Sequence, residues 1–272
     1  MSIVSQVRAG AGKAAPAGPG VTAAPADGEV RLRGVTKVFG RGATSTTALQ
    51  NVDLTIAPGE FVAVVGASGC GKSTMLNLVA GLDSVTDGTL EVGGSVAFMF
   101  QDATLLPWLT ATQNVALALR LRGVPRRDRE EQARELLQRV RLGKYADKRP
   151  HELSGGMRQR VSLARVLAQK APVVLMDEPL GALDAMTRDH MHDEIERVWQ
   201  EHDLTVVFVT HNMREAVRLG DRVVLMGSSP GRVVHERRID LPRPRTIDSA
   251  AVAELAGELT HALREDVARH VG

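Results

Sequence analysis

Residues 61–74 have the sequence FVAVVGASGCGKST, and this stretch determines the fold class. Its first five residues are apolar and rich in valine, which is typical of a strand that is covered on both faces. A glycine-rich loop follows, and residues 72–80 then have the spacing of a helix that stops at Gly81. A buried strand that enters a helix through such a turn indicates an α/β fold with a mainly parallel sheet.

The loop itself, Gly66–Ser73, matches the phosphate-binding pattern G-x-x-x-x-G-K-[ST]. Its glycines allow backbone N–H groups to face phosphate oxygens, and the following helix adds the positive end of its dipole. Lys72 supplies a charge for the β- and γ-phosphates, and Ser73 offers a hydroxyl to Mg²⁺. We interpret Cys70 as a small loop residue and not as a nucleophile. The predicted nucleotide-binding residues of this segment are Gly66, Ser68, Gly69, Cys70, Gly71, Lys72, Ser73 and Thr74.

A second apolar run, Val173–Met176, ends in the acids Asp177 and Glu178. Ligands of open α/β sheets gather at the carboxyl ends of the strands, where an acid can hold Mg²⁺. Successive strand residues point to opposite faces, so the two acids should have different roles. We predict that Asp177 serves the metal and that Glu178 polarises the attacking water. The alternative is that the acids merely cap a strand.

Strands that alternate with helical patterns extend this organisation along the chain. Further strands are predicted at Glu29–Val38, Ala48–Ile56, Val206–Val209 and Val223–Met226, and helices at Arg126–Leu142, Met157–Lys170, Met186–His202 and Ser249–Val267. We expect a disordered tail over 1–28, because a segment of Ala, Gly and Pro buries too little surface to order; a targeting peptide is the alternative. The predicted divisions are a domain at 29–246 with a helical lobe at about 102–160, and a C-terminal helix at 247–272.

Composition excludes several classes of function. The formal net charge of +2 is too small for wholesale binding of nucleic acid, and the single cysteine excludes an intrachain disulfide or a cysteine-based zinc site. No apolar stretch approaches the roughly 18 residues of a membrane-spanning helix, so we expect a soluble, cytosolic chain.

His190 and His192 lie two apart on a predicted helix and point about 200° apart, so they cannot share a metal ion. We interpret them as a solvated helix face.

Residues 153–160, LSGGMRQR, separate this chain from other proteins with a phosphate-binding loop. Ser154 is a good N-cap, and the two glycines after it expose N–H groups at the start of a long helix. Alone, this pattern is a simple helix cap. The full string, placed before Asp177 and Glu178, resembles the signature motif of the ATP-binding-cassette (ABC) ATPases. The resemblance runs from about Val30 to Val234.

The resemblance implies roles for residues that the motifs above leave unassigned. Gln101 resembles the Q-loop glutamine that senses Mg²⁺ and the γ-phosphate, and His211 resembles the switch histidine. Residues 180–184 resemble the D-loop, which meets a second subunit. Phe39 matches the aromatic that stacks on adenine, although burial in the small sheet explains it equally well.

For the fold, the resemblance implies a P-loop NTPase with a RecA-like parallel-sheet core, a small antiparallel β subdomain and a helical subdomain. It implies a head-to-tail dimer, in which one copy closes on the ATP that the other copy holds. The implied catalytic residues are Glu178, His211, Lys72 and Gln101; the implied Mg²⁺ residues are Ser73, Gln101 and Asp177; and the further nucleotide-binding residues are Phe39, Ser154, Gly155, Gly156 and Asp184.

Less specific strings resemble the nitrate, sulfonate and taurine importer branch. These are LLPW at 105–108, within the unusually apolar stretch FQDATLLPWLT at 100–110, together with Gly181, SPGR at 229–232 and LPRPR at 241–245. This branch implies transmembrane permease partners, an extracytoplasmic solute-binding protein, a peripheral location on the cytoplasmic face of the membrane, and a small anion as cargo. Leu105, Leu106 and Trp108 could anchor a helix of the permease, or they could pack inside the helical lobe.

Two other classes of function stay open. A soluble ABC ATPase of DNA repair, chromosome organisation or translation would typically carry a long insertion or a second cassette, and this chain has neither. A small-molecule kinase with a P-loop would leave the string at 153–160 unexplained.

Overall fold

In the computed structural model, which describes residues 24–181, 183–228 and 230–271, the chain forms two sheets with helices packed around them. The strands are β1 Val30–Phe39, β2 Thr46–Ile56, β3 Phe61–Gly66, β4 Asp87–Val92, β5 Val96–Met99, β6 Val173–Asp177, β7 Thr205–Thr210, β8 Arg222–Gly227 and β9 Arg232–Arg238. The α-helices are α1 Lys72–Val79, α2 Ala111–Leu121, α3 Arg126–Arg139, α4 Gly155–Gln169, α5 Ala185–His202, α6 Met213–Leu219 and α7 Ala250–Val271. Short 3₁₀ turns lie at Gly42–Thr44, Gly143–Tyr145 and Pro150–Glu152.

The larger sheet has the strand order β5-β6-β7-β3-β8-β9, and all strands except β9 are parallel. Strand β3 lies inside this sheet and every one of its residues is buried. Phe61 and Ala63 face one core cluster while Val62 and Val64 face another, which explains why the strand is apolar throughout. The predicted parallel-sheet core is confirmed.

The smaller sheet is antiparallel, with the order β2-β1-β4. Val30 of β1 lies opposite Ile56 of β2 and opposite Val92 of β4. The apolar face of this sheet packs with α1 against the larger sheet. The predicted small antiparallel subdomain is therefore present, and it includes the strand β4, whose polar sequence did not predict it.

The predicted tail is too long at its C-terminal end. Residues 26–28 form a turn in which Ala26 accepts from the N–H of Glu29 and Gly28 donates to the carbonyl of Gly93 over 2.8 Å. Gly28 is buried there. The remainder of the predicted tail, 1–23, lies outside the described residues, as do Ala182 of the predicted D-loop, Ser229 and Gly272.

Helices α2, α3 and α4 pack on one another and form the predicted helical lobe. The side chain of Thr110 caps α2 by accepting from the N–H of Gln113 over 3.2 Å. Helix α4 continues beyond the lobe and buries Val161 and Leu163 in the same cluster as the sheet residues. A lobe boundary at residue 160 thus falls inside a helix rather than between elements.

The C-terminal part of the chain is joined to the core by two arginines of the string at 241–245. The buried Arg245 donates to the carbonyls of Val217 (2.9 Å) and Gly220 (2.6 Å), at the end of α6. Arg243 donates to Asp221 over 2.9 Å and lies over the ring of Trp199 at 4.5 Å. Helix α7 then packs its apolar face on the core.

The prediction of a solvated histidine face is wrong for one of the two residues. His190 is exposed, whereas His192 is completely buried. Burial lowers the pKa of His192 to about 3, and the nearby charges of Arg218 and Arg188 act in the same direction.

Among the described residues, no helix has the length and apolar character that crossing a membrane requires, and no cluster of His, Cys, Asp and Glu side chains is suited to hold a metal ion.

Candidate nucleotide-binding site

The glycine-rich loop joins the end of β3 to the start of α1, at the carboxyl edge of the parallel strands. Gly69 and Gly71 have φ angles of 80° and 90°, in the left-handed region that favours glycine. A Cβ at Gly71 would also lie 2.6 Å from Leu49 Cδ2 and 2.8 Å from the carbonyl of Ala48. The loop therefore keeps its path only with glycine at this position, and Ser68 and Gly69 lie exposed at its tip.

Gly66 and Cys70 are the packing residues of the loop. A Cβ at Gly66 would lie 2.5 Å from Cys70 Sγ and 2.5 Å from the carbonyl of Met226. Cys70 is completely buried, so its sulfur fills space beneath the loop. The close approach of the β8 backbone explains why this position has no side chain.

Lys72 is folded into the loop. Its Nζ donates to the carbonyls of Gly66 and Ala67, both over 2.9 Å, and lies 3.7 Å from Cys70 Sγ. An ammonium group has three donors, and these contacts hold it beneath the loop backbone. Its charge is thus fixed at the start of α1, where the helix dipole also favours an anion. Thr74 follows in the first turn of α1 and is half-buried.

Asp177, at the end of β6, meets the first turn of α1. The hydroxyl of Ser73 donates to its carboxylate. Burial raises the pKa of Asp177 and the nearby charge of Glu178 adds to this, whereas the bond from Ser73 and the charge of Lys72 oppose it. A hydroxyl and one carboxylate are hard oxygen donors, and Mg²⁺ is usually bound by one or two carboxylates together with substrate phosphates. The donor set therefore fits Mg²⁺ beside the phosphate-binding loop.

Glu178 follows the last residue of β6, and its carboxylate contacts a neighbouring segment. Its Oε2 lies 3.2 Å from Nδ1 of His211, which follows β7. The backbone of Glu178 donates to the carbonyl of Val209 over 3.0 Å and has a φ of 43°, which is strained for a residue other than glycine. Strain of this kind persists where surrounding contacts impose it, and here it aims the carboxylate at the histidine.

Gln101 approaches the same edge of the sheet from the loop after β5. A Cβ at Gly181 would lie 3.3 Å from Gln101 Nε2 and 3.9 Å from Glu178 Oε2. The glycine thus leaves room for the glutamine amide beside Glu178. Gln159 of α4 donates to the backbone carbonyl of Gln101 and fixes this loop to the helical lobe. Sequence reasoning missed Gln159, because nothing in its local pattern distinguishes it.

Ser154 and Asp184 cap helices, and their bonds are to their own helices. Ser154 Oγ accepts from the N–H of Met157 over 3.3 Å at the start of α4, as predicted, and Asp184 accepts from Thr187 over 3.0 Å at the start of α5. Packing requires glycine at position 156, because a Cβ there would collide with the methyl group of Thr187. Gly155 has no such close neighbour, so packing does not exclude a side chain at this position.

Phe39 ends β1 and is 44% exposed, so burial in the small sheet does not explain it. The ammonium of Lys37 lies 4.8 Å from its ring centroid and also bonds Asp83 over 2.6 Å. The ring therefore stands on the surface with one face against a cation.

The predicted apolar anchor is only partly available. Trp108 is 66% exposed, but Leu105 packs against the core, so the alternative of packing inside the lobe holds for Leu105. The loop of Leu106 is braced by Asn114, which bonds both its N–H (2.8 Å) and its carbonyl (3.2 Å).

Comparisons with known proteins place this geometry in a family. Residues 49–181 match the family model described as ABC transporter. The aliphatic sulfonates import ATP-binding protein SsuB of Burkholderia ambifaria is 51% identical over 238 residues, which cover 85% of this chain and 71% of that protein. The chain belongs to the ATP-binding proteins of ABC transporters. It is accordingly an ABC-type ATPase, with ATP as its substrate.

Other similar ABC proteins agree with this assignment. An uncharacterized ABC transporter ATP-binding protein of Methanocaldococcus jannaschii is 41% identical over 247 residues, covering 88% of this chain and 92% of that protein. Among solved structures, the ATP-binding cassette MJ0796, a dimer in a post-hydrolysis state with ADP and Pi, superposes with a TM-score of 0.70 at 35% identity. This match covers 78% of the present chain and all of the other.

Proposed function

We propose that this ABC ATPase powers the import of a small organic anion of the sulfonate class through a membrane permease. The observation that carries the proposal is the assembly of Lys72, Ser73, Asp177, Glu178 and His211 at one edge of the parallel sheet. These groups are those that hydrolysis of a nucleoside triphosphate requires: an anion-binding loop, oxygen donors for a metal, and an acceptor for the proton of water.

Each group has a part in hydrolysis. The amides of the loop and Lys72 hold the phosphates, and Ser73, Asp177 and Gln101 hold Mg²⁺, which neutralises charge on the phosphate oxygens when bound. Glu178 orients the attacking water and accepts its hydrogen bond, while His211 fixes the Glu178 carboxylate through their 3.2 Å contact. Phe39 offers its exposed face to the adenine ring.

A second copy of the chain completes the site. Ser154 caps the start of α4, and Asp184 caps the start of α5 at the end of the segment 180–184. In a head-to-tail dimer, these groups close on the ATP held by the Lys72 loop of the other copy. The dimeric structure of the similar cassette supports this arrangement.

A groove of about 580 Å³ between the sheet edge and the lobe receives a helix of the permease. Phe98 and Phe100 stack in it with ring centroids 4.2 Å apart, and Leu82 and Leu121 project into solvent at its rim. Exposed apolar side chains of this size fit an amphipathic helix that lies in a groove. The chain would thus sit peripherally on the cytoplasmic face of the membrane.

The cargo follows from the relatives, whose names describe import of aliphatic sulfonates. An extracytoplasmic solute-binding protein selects it and delivers it to the permease. In cells that lack this chain, we expect uptake of a labelled alkanesulfonate to fall to background and to return with the wild-type chain but not with Glu178→Gln. Nitrate and taurine are measured in parallel. Unchanged uptake of all three anions would contradict the import role.

The groove has its own test. Leu121→Ser removes an exposed apolar side chain without opening the core, so we expect uptake to fall while the ATPase activity of the isolated chain stays within twofold of wild type. Equal retention of uptake and ATPase activity would show that the groove does not couple the two.

A further inference from the structure

An arginine outside the catalytic cluster joins two segments that reach it. Arg188 lies in the first turns of α5, and its Nη2 donates to the carbonyl of Leu183 over 2.9 Å. On its other side, Nε lies 3.5 Å from Oε1 of Glu215, at the start of α6. The guanidinium therefore bridges the segment 180–184, which we define as the partner-facing loop, and the turn that carries His211.

Glu215 is a buried residue that fixes the turn carrying His211. Its side chain is almost completely buried, and its Oε2 accepts from Thr210 Oγ1 over 2.7 Å. The same hydroxyl oxygen accepts from the N–H of Asn212 over 3.0 Å. The residues on both sides of His211 are therefore fixed to one carboxylate, and the backbone of His211 has little freedom to move independently of Glu215.

The charge of Arg188 is one of several influences that favour the ionised form of this carboxylate. Burial raises the pKa of Glu215, and the bond from Thr210 and the charge of Arg188 oppose this effect. On its remaining side, Glu215 Oε1 lies 3.8 Å from Nε2 of the buried His192, and burial favours the neutral form of that imidazole. Arg188 thus places a permanent positive charge 3.5 Å from the buried Glu215 Oε1, as an ion pair.

We propose that Arg188 is a positioning residue that, through Glu215, holds His211 against Glu178 and links this contact to the partner-facing loop. The proposal deepens the proposed function, on which it rests, because it explains how docking of a second copy acts on hydrolysis. A displacement of Leu183 moves the guanidinium, the guanidinium moves Glu215, and the turn at Thr210 carries the displacement to His211.

The kinetic test uses the full-length chain with Arg188→Ala. We expect kcat for ATP hydrolysis to fall about tenfold or more, since small displacements of catalytic groups have effects of this size, while KM for ATP stays within twofold. Arg188→Lys keeps the charge but cannot make both contacts, so it should give an intermediate kcat. The matched control is Arg197→Ala, on the same helix, where the guanidinium pairs with two glutamates away from the site, the buried Glu194 and, over 2.8 Å, Glu201; it should keep wild-type kinetics.

A double-mutant cycle separates coupling from two independent effects. If Arg188 acts through Glu215, the variant with Arg188→Ala and Glu215→Gln should lose no more activity than the more damaged single variant. Losses in kcat that multiply would overturn the proposal, as would a kcat of Arg188→Ala within twofold of wild type. If the alanine variant does not fold, the lysine variant carries the same comparison.

A readout without ATPase activity distinguishes this proposal from the proposed function. The ring resonances of His211, assigned by their loss in His211→Asn, should shift in Arg188→Ala and stay in place in Arg197→Ala. Unshifted resonances would overturn the positioning role. If the wild-type chain hydrolyses no ATP but the His211 resonances still shift in Arg188→Ala, the proposed function is contradicted. The structural link from Arg188 to His211 is supported in that case.

Discussion

His211 Nδ1 and Glu178 Oε2 lie 3.2 Å apart, and each residue directly follows one of two neighbouring parallel strands. The backbone adds a second link, because the N–H of Glu178 donates to the carbonyl of Val209 in β7. A carboxylate can only accept, so the imidazole donates through Nδ1 and leaves Nε2 free to face a substrate.

This arrangement predicts the behaviour of Glu178→Gln. The amide keeps the shape of the side chain but cannot take a proton from water, so we expect kcat for ATP hydrolysis to fall about 100-fold or more. ATP binding should persist, and ATP-bound dimers should accumulate in size-exclusion chromatography with light scattering. Normal turnover in this variant would contradict the role of Glu178.

Phe39 provides a test of adenine recognition. Loss of one aromatic stacking face is worth about 1 kcal/mol, so Phe39→Ala should raise KM for ATP about fivefold with little change in kcat. Phe39→Trp, which keeps a stacking face, is the control and should remain near wild type. A KM that is unchanged in the alanine variant would remove Phe39 from the nucleotide site.

Two glycines should respond in opposite ways to alanine. Gly66→Ala places a methyl group 2.5 Å from both Cys70 Sγ and the carbonyl of Met226, and overpacking of this kind costs about 1–3 kcal/mol. Gly257→Ala lies in α7 with no atom within 4 Å of the added methyl, and should stabilise the chain by about 0.5–1 kcal/mol. Urea unfolding measures both values. Equal stability of the two variants would contradict the close packing of the loop.

His192 predicts a dependence of stability on pH. Its pKa is about 3 in the folded chain, below the ordinary 6.5, so the unfolded chain binds a proton first as the pH falls. The stability that neutral His192 contributes to the folded chain is fully present above pH 6.5 and is lost progressively towards pH 3. At pH 5 the loss in the free energy of unfolding amounts to about 2 kcal/mol.

The measurement is urea unfolding of His192→Met and wild type at pH 7.5 and pH 5. We expect the wild-type chain to lose about 2 kcal/mol more than the variant between these values. The variant His190→Ala, which changes an exposed residue, should lose as much stability between these pH values as wild type. Identical losses in all three proteins would show that His192 is accessible to protons.

The sequence predicted the parts of the molecule whose cause is local. The strand and loop at 61–74 and the Ser154 cap depend on neighbouring residues, and the structure has them as predicted. The parallel core, the small sheet and the helical lobe followed from these segments and the resemblance that they carry.

Contacts between distant segments could not be predicted in this way. Strand β4 has the polar sequence DGTLEV and is a strand because β1 pairs with it. The bridge from Arg188 to Glu215 joins α5 and α6, and the sequence of neither helix predicts its contact with the other. His192 is a missed signal, since it lies four residues before Glu196 and seven before Trp199, at the spacing of a buried helix face.

The position of β3 between β7 and β8 also has a consequence for synthesis of the chain. Gly59, just before β3, donates to Thr205 Oγ1, which the ribosome adds 146 residues later. Val65 pairs with Leu225 of β8, so at about 5–20 residues per second the apolar strand waits roughly 8–32 seconds for both of its neighbours. The nascent chain must be kept from aggregating during this interval, and the phosphate-binding loop becomes competent for nucleotide only after Met226 has left the exit tunnel.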